Sequence, residues 1–572
     1  MTPSPRTDVP AVATAIADRL LRHTAPGARV GRHTIDRAGP VAMDLPDERA
    51  VQAACGLMHV HGRATGGPVP LAVDYASVVA GVLAAQGATA VAIGRARGLG
   101  LREARTSVAQ GALLAVGQYL AAATAGEDDG PPEPRVCAGG LATLDTCDGV
   151  RVELETLDPP AWREFWARLD VPPALAGRGW LPFQQRFATA VCPLPDELRE
   201  AVRRRTSAEL RAAAGDTGVS LLVVGSDPAP AVRPDPWRLT PAPDARLRRP
   251  VPAPAPPGPD AGTASSLPLA GLRVVESTRR VQGPLAGHVL RILGAEVIRI
   301  EPPGGDPMRW LPPLAGGTSA RFTALNAGKR VVEADITTGQ GRDTVRALAA
   351  EADVFVHNWA PGKAARLGLD AADLSAARPA LVYAWASGFG DALGDRPPLG
   401  TDYLAQVHGG LAAAVRPADE PPAPSLMTLT DVLGGLVCAQ GVLAALAARE
   451  RTGRGCRVDS SLMSAAALVP RPAHRVRWTA LDRPLRTADG HLYLGAEARA
   501  HPDAVHRLFG PAGLAALTTA ECAGRLAAAG LPATPVHTDL AALADDPAFE
   551  AAVAPSDPVV GHARPHAPWE FA

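Results

Sequence analysis

No CxxC pair occurs in this 572-residue chain, and its seven cysteines, at 55, 137, 147, 192, 438, 456 and 522, are odd in number. That argues against a disulfide framework or a zinc site and for a reducing cytoplasm. An excess of one charge is missing too. Lys and Arg total 57, Asp and Glu 58, and the formal charge is −1. No global basic field would hold a polyanion, so nucleic acid is not expected as a partner. An anionic small molecule needs only a local cluster of cations. The N-terminus, MTPSPRTDVPAVATAIADRLLRH, has no basic segment leading into an apolar core, so no signal peptide is read. The longest apolar run, Val432 to Ala448, carries Gln440 and three glycines. It is shorter than the ~20 residues of a membrane span, and predicts a buried helix and no membrane association. GxGxxG and P-loop lysine motifs are also absent.

What is present is an internal repeat. Residues 51–87 and 405–441 align without a gap at a constant offset of 354. Gln52 matches Gln406, Gly56-Leu57 matches Gly410-Leu411, and Ala85-Gln86-Gly87 matches Ala439-Gln440-Gly441. Further on, Asp148-Gly149 matches Asp489-Gly490, and Pro236-Trp237-Arg238-Leu239 resembles Pro568-Trp569-Glu570-Phe571. Ordered matches at nearly one offset point to a duplication. The expected organisation is a degenerate partial copy over 1–245, a Pro/Ala-rich linker over 246–268 and a catalytic region over 269–572. The linker's proline density rules out helix or sheet interior.

The second copy is preceded by a block, about 267–398, without a visible counterpart in the first. GLRVVE (271–276) reads as a buried strand, followed by the loop STRRVQGP and a helix from about Pro284. Gly294 ends that helix and Glu296–Ile300 is the next strand. A helix (341–350), a strand (353–357), a helix near 363–367 and a strand at 381–386 follow. This alternation predicts an α/β, doubly wound, Rossmann-like parallel sheet with ligands at the carboxyl ends of its strands. Loops placed there offer Glu301 to a ribose, Lys329 and Arg330 as cations, Asn358-Trp359-Ala360 with Arg366, and Ser387-Gly-Phe-Gly390.

These residues resemble the family III CoA-transferases, the group of formyl-CoA transferase, carnitine CoA-transferase and α-methylacyl-CoA racemase. The resemblance runs from about Leu269 to Leu468. It is carried by LAGLRVVEST, LGAEVIRIEPPGGDPMR, LNAGKR, ADVFVHNWAPGKAARLGL, LVYAWASGFG and, most specifically, LAALAARERTGRGCRVDSSLMSAA (443–466). It implies a doubly wound domain plus a smaller α+β domain, here partly duplicated, and either a homodimer or an intramolecular pseudo-dimer. It implies coenzyme A or acyl-CoA as substrate, with no tightly bound cofactor and no metal, and a carboxylic acid as acceptor. By motif position, CoA would meet Val281, Gln282, Pro302, Ala334, Asp335, Ile336, Thr337, Asn358, Trp359, Ala360, Arg366, Ala386, Ser387, Gly388 and Phe389. Two positions depart from formyl-CoA transferase: its first-loop glutamine reads Val281 here, with Gln282 one residue later, and its second-strand arginine reads Pro302.

The family's nucleophilic aspartate matches Asp431 in LTDVLGG. By spacing alone Asp431 reads as an ordinary helix N-cap; the resemblance makes it the residue that forms a mixed anhydride and then an aspartyl-CoA thioester. A first-turn carboxylate would be stabilised as an anion by ~0.3–1 kcal/mol. Its partner in the first copy is Ser77, with Asp74 about one turn earlier, so that copy is expected to be non-catalytic. Two alternatives stand beside the transferase. A racemase of the same family would need a second acid/base; the motif Gly400-Thr401-Asp402 supplies no histidine, and His408 lies seven residues beyond Thr401. A non-catalytic acyl-CoA-binding or partner protein is the other. His59 and His61 read as a solvent-facing pair.

Overall fold

The computed structural model describes residues 10–24, 30–126, 136–229, 233–241, 267–394, 397–510 and 513–572. Apart from residues 267–268, the expected linker lies outside the described residues.

The block ahead of the second copy folds as the alternation predicts. Short runs such as VVES, EVIRIE, VFVH and VYAWAS are apolar on both faces, as strands covered by helices must be. They form a seven-stranded sheet in the order Arg330–Glu333, Glu296–Glu301, Arg273–Ser277, Val354–His357, Val382–Ser387, Cys456–Ser461 and Trp237–Pro241. The first six are parallel, in the doubly wound order with its switch point between Arg273–Ser277 and Val354–His357. The seventh runs antiparallel and comes from the first copy.

The first copy retains only the last part of this sheet. Arg32–Asp36 pairs in parallel with Glu103–Ser107, as Val382–Ser387 does with Cys456–Ser461. Its edge is completed by Glu570–Phe571, the end of the second copy. Each copy therefore gives its final strand to the other's sheet. The tryptophans heading these strands are buried and sit in equivalent places. A Cβ on Gly441 would lie 3.1 Å from Trp237, and one on Gly87 3.0 Å from Trp569, so glycine is needed where each indole crosses.

Between the sheets lie two long helices, Tyr75–Ala96 and Leu429–Thr452, packed on each other and almost wholly buried. Both are long and apolar enough to cross a membrane, yet here they form the core. The second is longer than the apolar run at its centre because LTD before it and RERT after it also take helical turns. Buried polar side chains on these helices need partners. Gln86 donates to Leu436 O (2.8 Å), its repeat mate Gln440 donates to Thr24 Oγ1 (2.9 Å) and Thr89 Oγ1 (3.1 Å), and Tyr75 donates to Leu429 O (2.8 Å).

Each copy also carries a small α+β domain. One has strands Leu144–Asp145, Arg151–Glu155 and Ser220–Val223, the other Leu485–Arg486, His491–Leu494 and Ala533–Pro535. His59 and His61 are not solvent-facing. Both are buried in the first copy, where Arg63 donates to His59 and His61 Nδ1 meets Ser425 Oγ at 2.8 Å. The short helix Leu57–Gly62 turns both inward, His61 against the second copy.

Candidate active site

The six parallel strands end on one edge, which gathers the loops after each of them. At the switch point Asn358 ties two loops together. Its Oδ1 accepts from Arg279 N (3.0 Å) and its Nδ2 donates to Arg279 O (2.9 Å). Gln282 donates from Nε2 to Ser387 O (3.1 Å), joining the next loop. Gly388 then packs on Gly400, and a Cβ at Gly388 would fall 2.2 Å from the Gly400 Cα. This contact brings the Gly400-Thr401-Asp402 turn against the strand ends.

Asp431 lies on the first turn of Leu429–Thr452, half-buried at a cleft of about 90 Å³ lined by Arg279, Arg280, Gln282, Asn358, Gly388 and Asp402 among others. The helix start is held from the first copy, by Tyr75 donating to Leu429 O (2.8 Å). Asp402 is buried and takes the local donors. Its Oδ1 accepts from Thr430 N (2.6 Å), Thr430 Oγ1 (2.7 Å) and Asp431 N (2.9 Å), and its Oδ2 accepts from Gln406 Nε2 (2.5 Å). Asp431 accepts no side-chain or backbone hydrogen bond among the described residues. Burial first, and then the Asp402 carboxylate, push its pKa well above the ordinary value, with Arg280 opposing. The first-turn stabilisation expected for the anion is thus outweighed. Burial raises the Asp402 pKa as well, with its hydrogen-bond donors opposing, so the two carboxylates titrate as an interacting pair.

The opposite wall comes from the first copy's small domain. Glu155, Thr156, Leu157, Gln184, Arg186 and Phe187 all line the cleft. Arg186 pairs with Glu155 at 2.9 Å, both buried, and lies over the rings of Phe183 (3.7 Å) and Tyr403 (4.7 Å). Sequence reasoning missed this wall, since no local motif marks residues that act across a pseudo-two-fold. It also passed over Arg280, a non-glycine residue at φ 64 whose guanidinium lies 5.3 Å from the Phe187 ring centroid. Such a conformation costs of order 1–3 kcal/mol and clusters at functional sites.

Of the residues singled out in sequence, Gln282, Asn358, Ala386, Gly388 and Asp431 line this cleft. Val281, Ser387, Phe389 and Trp359 are buried just behind it, Trp359 donating to Ser277 Oγ (3.2 Å). Pro302, Ala334–Thr337, Ala360 and Arg366 lie along the same strand-end edge, outside the cleft. Asp335 caps its own turn, accepting from Thr337 N (2.9 Å) and Oγ1 (2.6 Å). Arg366 is exposed, and burial first, then Arg279 and Arg366, depress the pKa of Lys363, so three cations share one end of the edge. Two groups offered to a nucleotide by sequence are already engaged. Glu301 is buried against Arg299 (3.1 Å) and Arg309 (2.8 Å), and Lys329 is buried on Glu276 (2.9 Å). His408 is not among the residues lining the cleft and stands edge-on to Phe389, 6.0 Å between centroids.

The first copy has an equivalent constellation with different residues. Glu48 occupies the place of Asp402, accepting from Ala76 N and Ser77 N, both at 2.9 Å, and from Ser77 Oγ at 2.6 Å. Ser77 stands where Asp431 does.

Known proteins share sequence with this chain. Mouse (Mus musculus) succinyl-CoA:glutarate CoA-transferase is 33% identical over 255 residues, 42% of this chain and 58% of the relative. Acetyl-CoA:oxalate CoA-transferase of Acetobacter aceti is 34% identical over 232 residues, 40% of this chain and 59% of the relative. The chain thus spans little more than half the length of these relatives. A CAIB/BAIF family protein from Brucella suis, of solved structure, aligns with a TM-score of 0.45 at 28% identity, over 51% of this chain and 89% of that one. The family model described as CoA-transferase family III matches residues 36–233 and again 269–517, well over half of the sequence, and the chain belongs to that family, whose pattern it carries twice.

Proposed function

We propose that the chain transfers CoA from an acyl-CoA to a carboxylic acid, with Asp431 as nucleophile and the first copy as its non-catalytic support. The observation that carries this reading is the division of labour between two adjacent carboxylates. Asp402 takes the available donors, which leaves the Asp431 oxygens free to attack.

The Asp431 carboxylate adds to the thioester carbonyl carbon. The C–S bond breaks, CoA leaves as thiolate, and an acyl–aspartyl anhydride remains. The thiolate then attacks Cγ of Asp431, expelling the donor's carboxylate and leaving an aspartyl-CoA thioester. The acceptor carboxylate attacks Cγ in turn, releasing thiolate and forming a second anhydride. Finally the thiolate attacks the acceptor's carbonyl carbon and Asp431 leaves as carboxylate. No net proton is consumed, and one hard exchange is divided into easier steps. The raised pKa makes the ionised Asp431 more basic, and Arg280 supports the anion during attack. Arg279, Lys363 and Arg366 suit the phosphates of CoA, laid along the strand-end edge from Gln282 toward Arg366. The cleft wall formed by Glu155, Gln184 and Arg186 then belongs to the acyl or acceptor group. We read the arrangement as an intramolecular pseudo-dimer with one site per chain, 1–245 supporting 269–572.

The test is incubation with a panel of acyl-CoAs, a hydroxylamine trap, and mass spectrometry of the Asp431 peptide, with Asp431→Asn as control. Modification confined to that peptide and absent in the variant is expected. An unmodified peptide during turnover would sink the proposal, and deuterium entering the α-position without CoA exchange would favour the racemase.

A further inference from the structure

A second, larger cavity of about 420 Å³ lies behind the wall of the cleft. The partition is the seam between the helices Gln282–Ile292 and Leu429–Thr452, which approach so closely that a Cβ on Gly435 would sit 2.5 Å from Gln282 O. Asp431 faces the cleft while its neighbour Val432 faces this cavity. Most of the cavity wall is apolar, from Leu114 of the first copy to Leu285, Ile292 and Leu325 of the second.

Three of its polar residues, Arg291, His288 and His562, carry buried nitrogens without partners. Arg291 is partly buried and makes no hydrogen bond or ion pair among the described residues; its Nε is buried and unpartnered. The charged group that acts on it is another cation, Arg564, which already pairs with Asp557 at 2.7 Å. Lys329 near by is neutralised by Glu276. Among the described residues no acidic side chain lines the cavity. His562 is fully buried, with Nδ1 2.9 Å from Ala563 O, which assigns the proton to Nδ1; its Nε2 and Nδ1 of His288 are buried without partners, and both residues line the cavity. Burial and the neighbouring cations hold His288 neutral, at a pKa of about 3. Gly328, at φ +75, makes room for Arg291, since a Cβ there would lie 2.8 Å from Nη1. A half-buried guanidinium without an acceptor lowers stability unless something supplies the missing anion. The volume falls in the range of small-molecule sites, which are apolar with a few directed polar groups.

We propose that this cavity is a binding site for a free organic acid with an apolar tail, its carboxylate on Arg291 with the two histidines beside it, separate from the CoA-exchange cleft. One free guanidinium among neutral imidazoles matches a monocarboxylate better than a phosphate, which recruits several cations.

The experiment is calorimetric titration of the full chain with octanoate, octanol and acetate, repeated with saturating CoA and on Arg291→Met and Leu114→Trp. Octanoate is expected to bind once per chain in the presence of CoA and also to Asp431→Asn. Arg291→Met should weaken octanoate by about tenfold or more, the worth of a charge-assisted bond, and change octanol little. Leu114→Trp, which fills the cavity, should abolish both. Unliganded Arg291→Met should also melt at a higher temperature than the parent, because an unpaired cation has been removed. Displacement of octanoate by CoA, equal affinity in Arg291→Met, or no octanoate binding would each overturn the assignment.

Discussion

Replacing Asp431 by Asn should stabilise the protein while abolishing CoA transfer, and the stabilisation should depend on pH. Asp431 accepts no hydrogen bond among the described residues and faces the Asp402 carboxylate, which accepts four hydrogen bonds. Two charges on the order of 5 Å apart repel by ~3 kcal/mol at an effective dielectric of about 20. The helix N-terminus returns ~0.3–1 kcal/mol and Arg280 somewhat more, which leaves roughly 1–2 kcal/mol against the ionised side chain. The sign follows from proton linkage. The folded pKa is raised, so between the ordinary carboxylate pKa and the raised value the folded chain keeps a proton that the unfolded chain has released. Stability therefore falls as pH rises through that window. Asn does not titrate, so the gap between variant and parent should be near zero at about pH 4 and widest at pH 8. Scanning calorimetry at fixed scan rate should show an increase on the order of 1–3 °C at pH 8. A variant no more stable than the parent at pH 8, or a gap unchanged between pH 4 and pH 8, would refute the reasoning.

Trp569→Ala should cost about 3–5 kcal/mol, since it empties a packed site against Gly87 and loses a 2.7 Å bond to Leu83 O. Trp237→Ala should cost a similar amount, and thermal unfolding of both checks whether the exchanged strands brace both sheets; a near-neutral result for either would separate the copies energetically. Ser77→Ala should leave the initial rate of CoA exchange within about twofold while losing ~1 kcal/mol from the Glu48 hydrogen bond, measured by steady-state assay and calorimetry; a loss of exchange beyond tenfold would make the first copy a participant.

Much of the catalytic sheet is legible in the sequence because fully covered parallel strands must be apolar on both faces. VVES, EVIRIE, VFVH and VYAWAS stand out for that reason. Arg330–Glu333 does not, because an edge strand with mostly exposed side chains carries no such pattern. Trp237–Pro241 is legible as half of a repeat but not as a strand of this sheet, since its partner lies more than two hundred residues onward. Asp431 could be picked out by its motif, and Gln282, Asn358 and Gly388 by their places after strands. Glu155, Gln184 and Arg186 reach the cleft only through packing of one copy on the other, which leaves no local signature. The assumption that Lys329 and Glu301 were open to ligand failed because sequence does not show that Glu276 and Arg299 engage them first.

The exchange of terminal strands has a consequence for how such a chain can diversify. In a symmetric dimer every substitution is made twice, once beside each nucleophile and once in each opposing wall. Here the wall and the nucleophile occupy different stretches of one polypeptide. A change at Gln184 alters the wall facing Asp431 and leaves the second copy's own small domain as it was. The interlock holds the two roles together physically while their codons vary independently, so specificity can be tuned on one side without retuning the other.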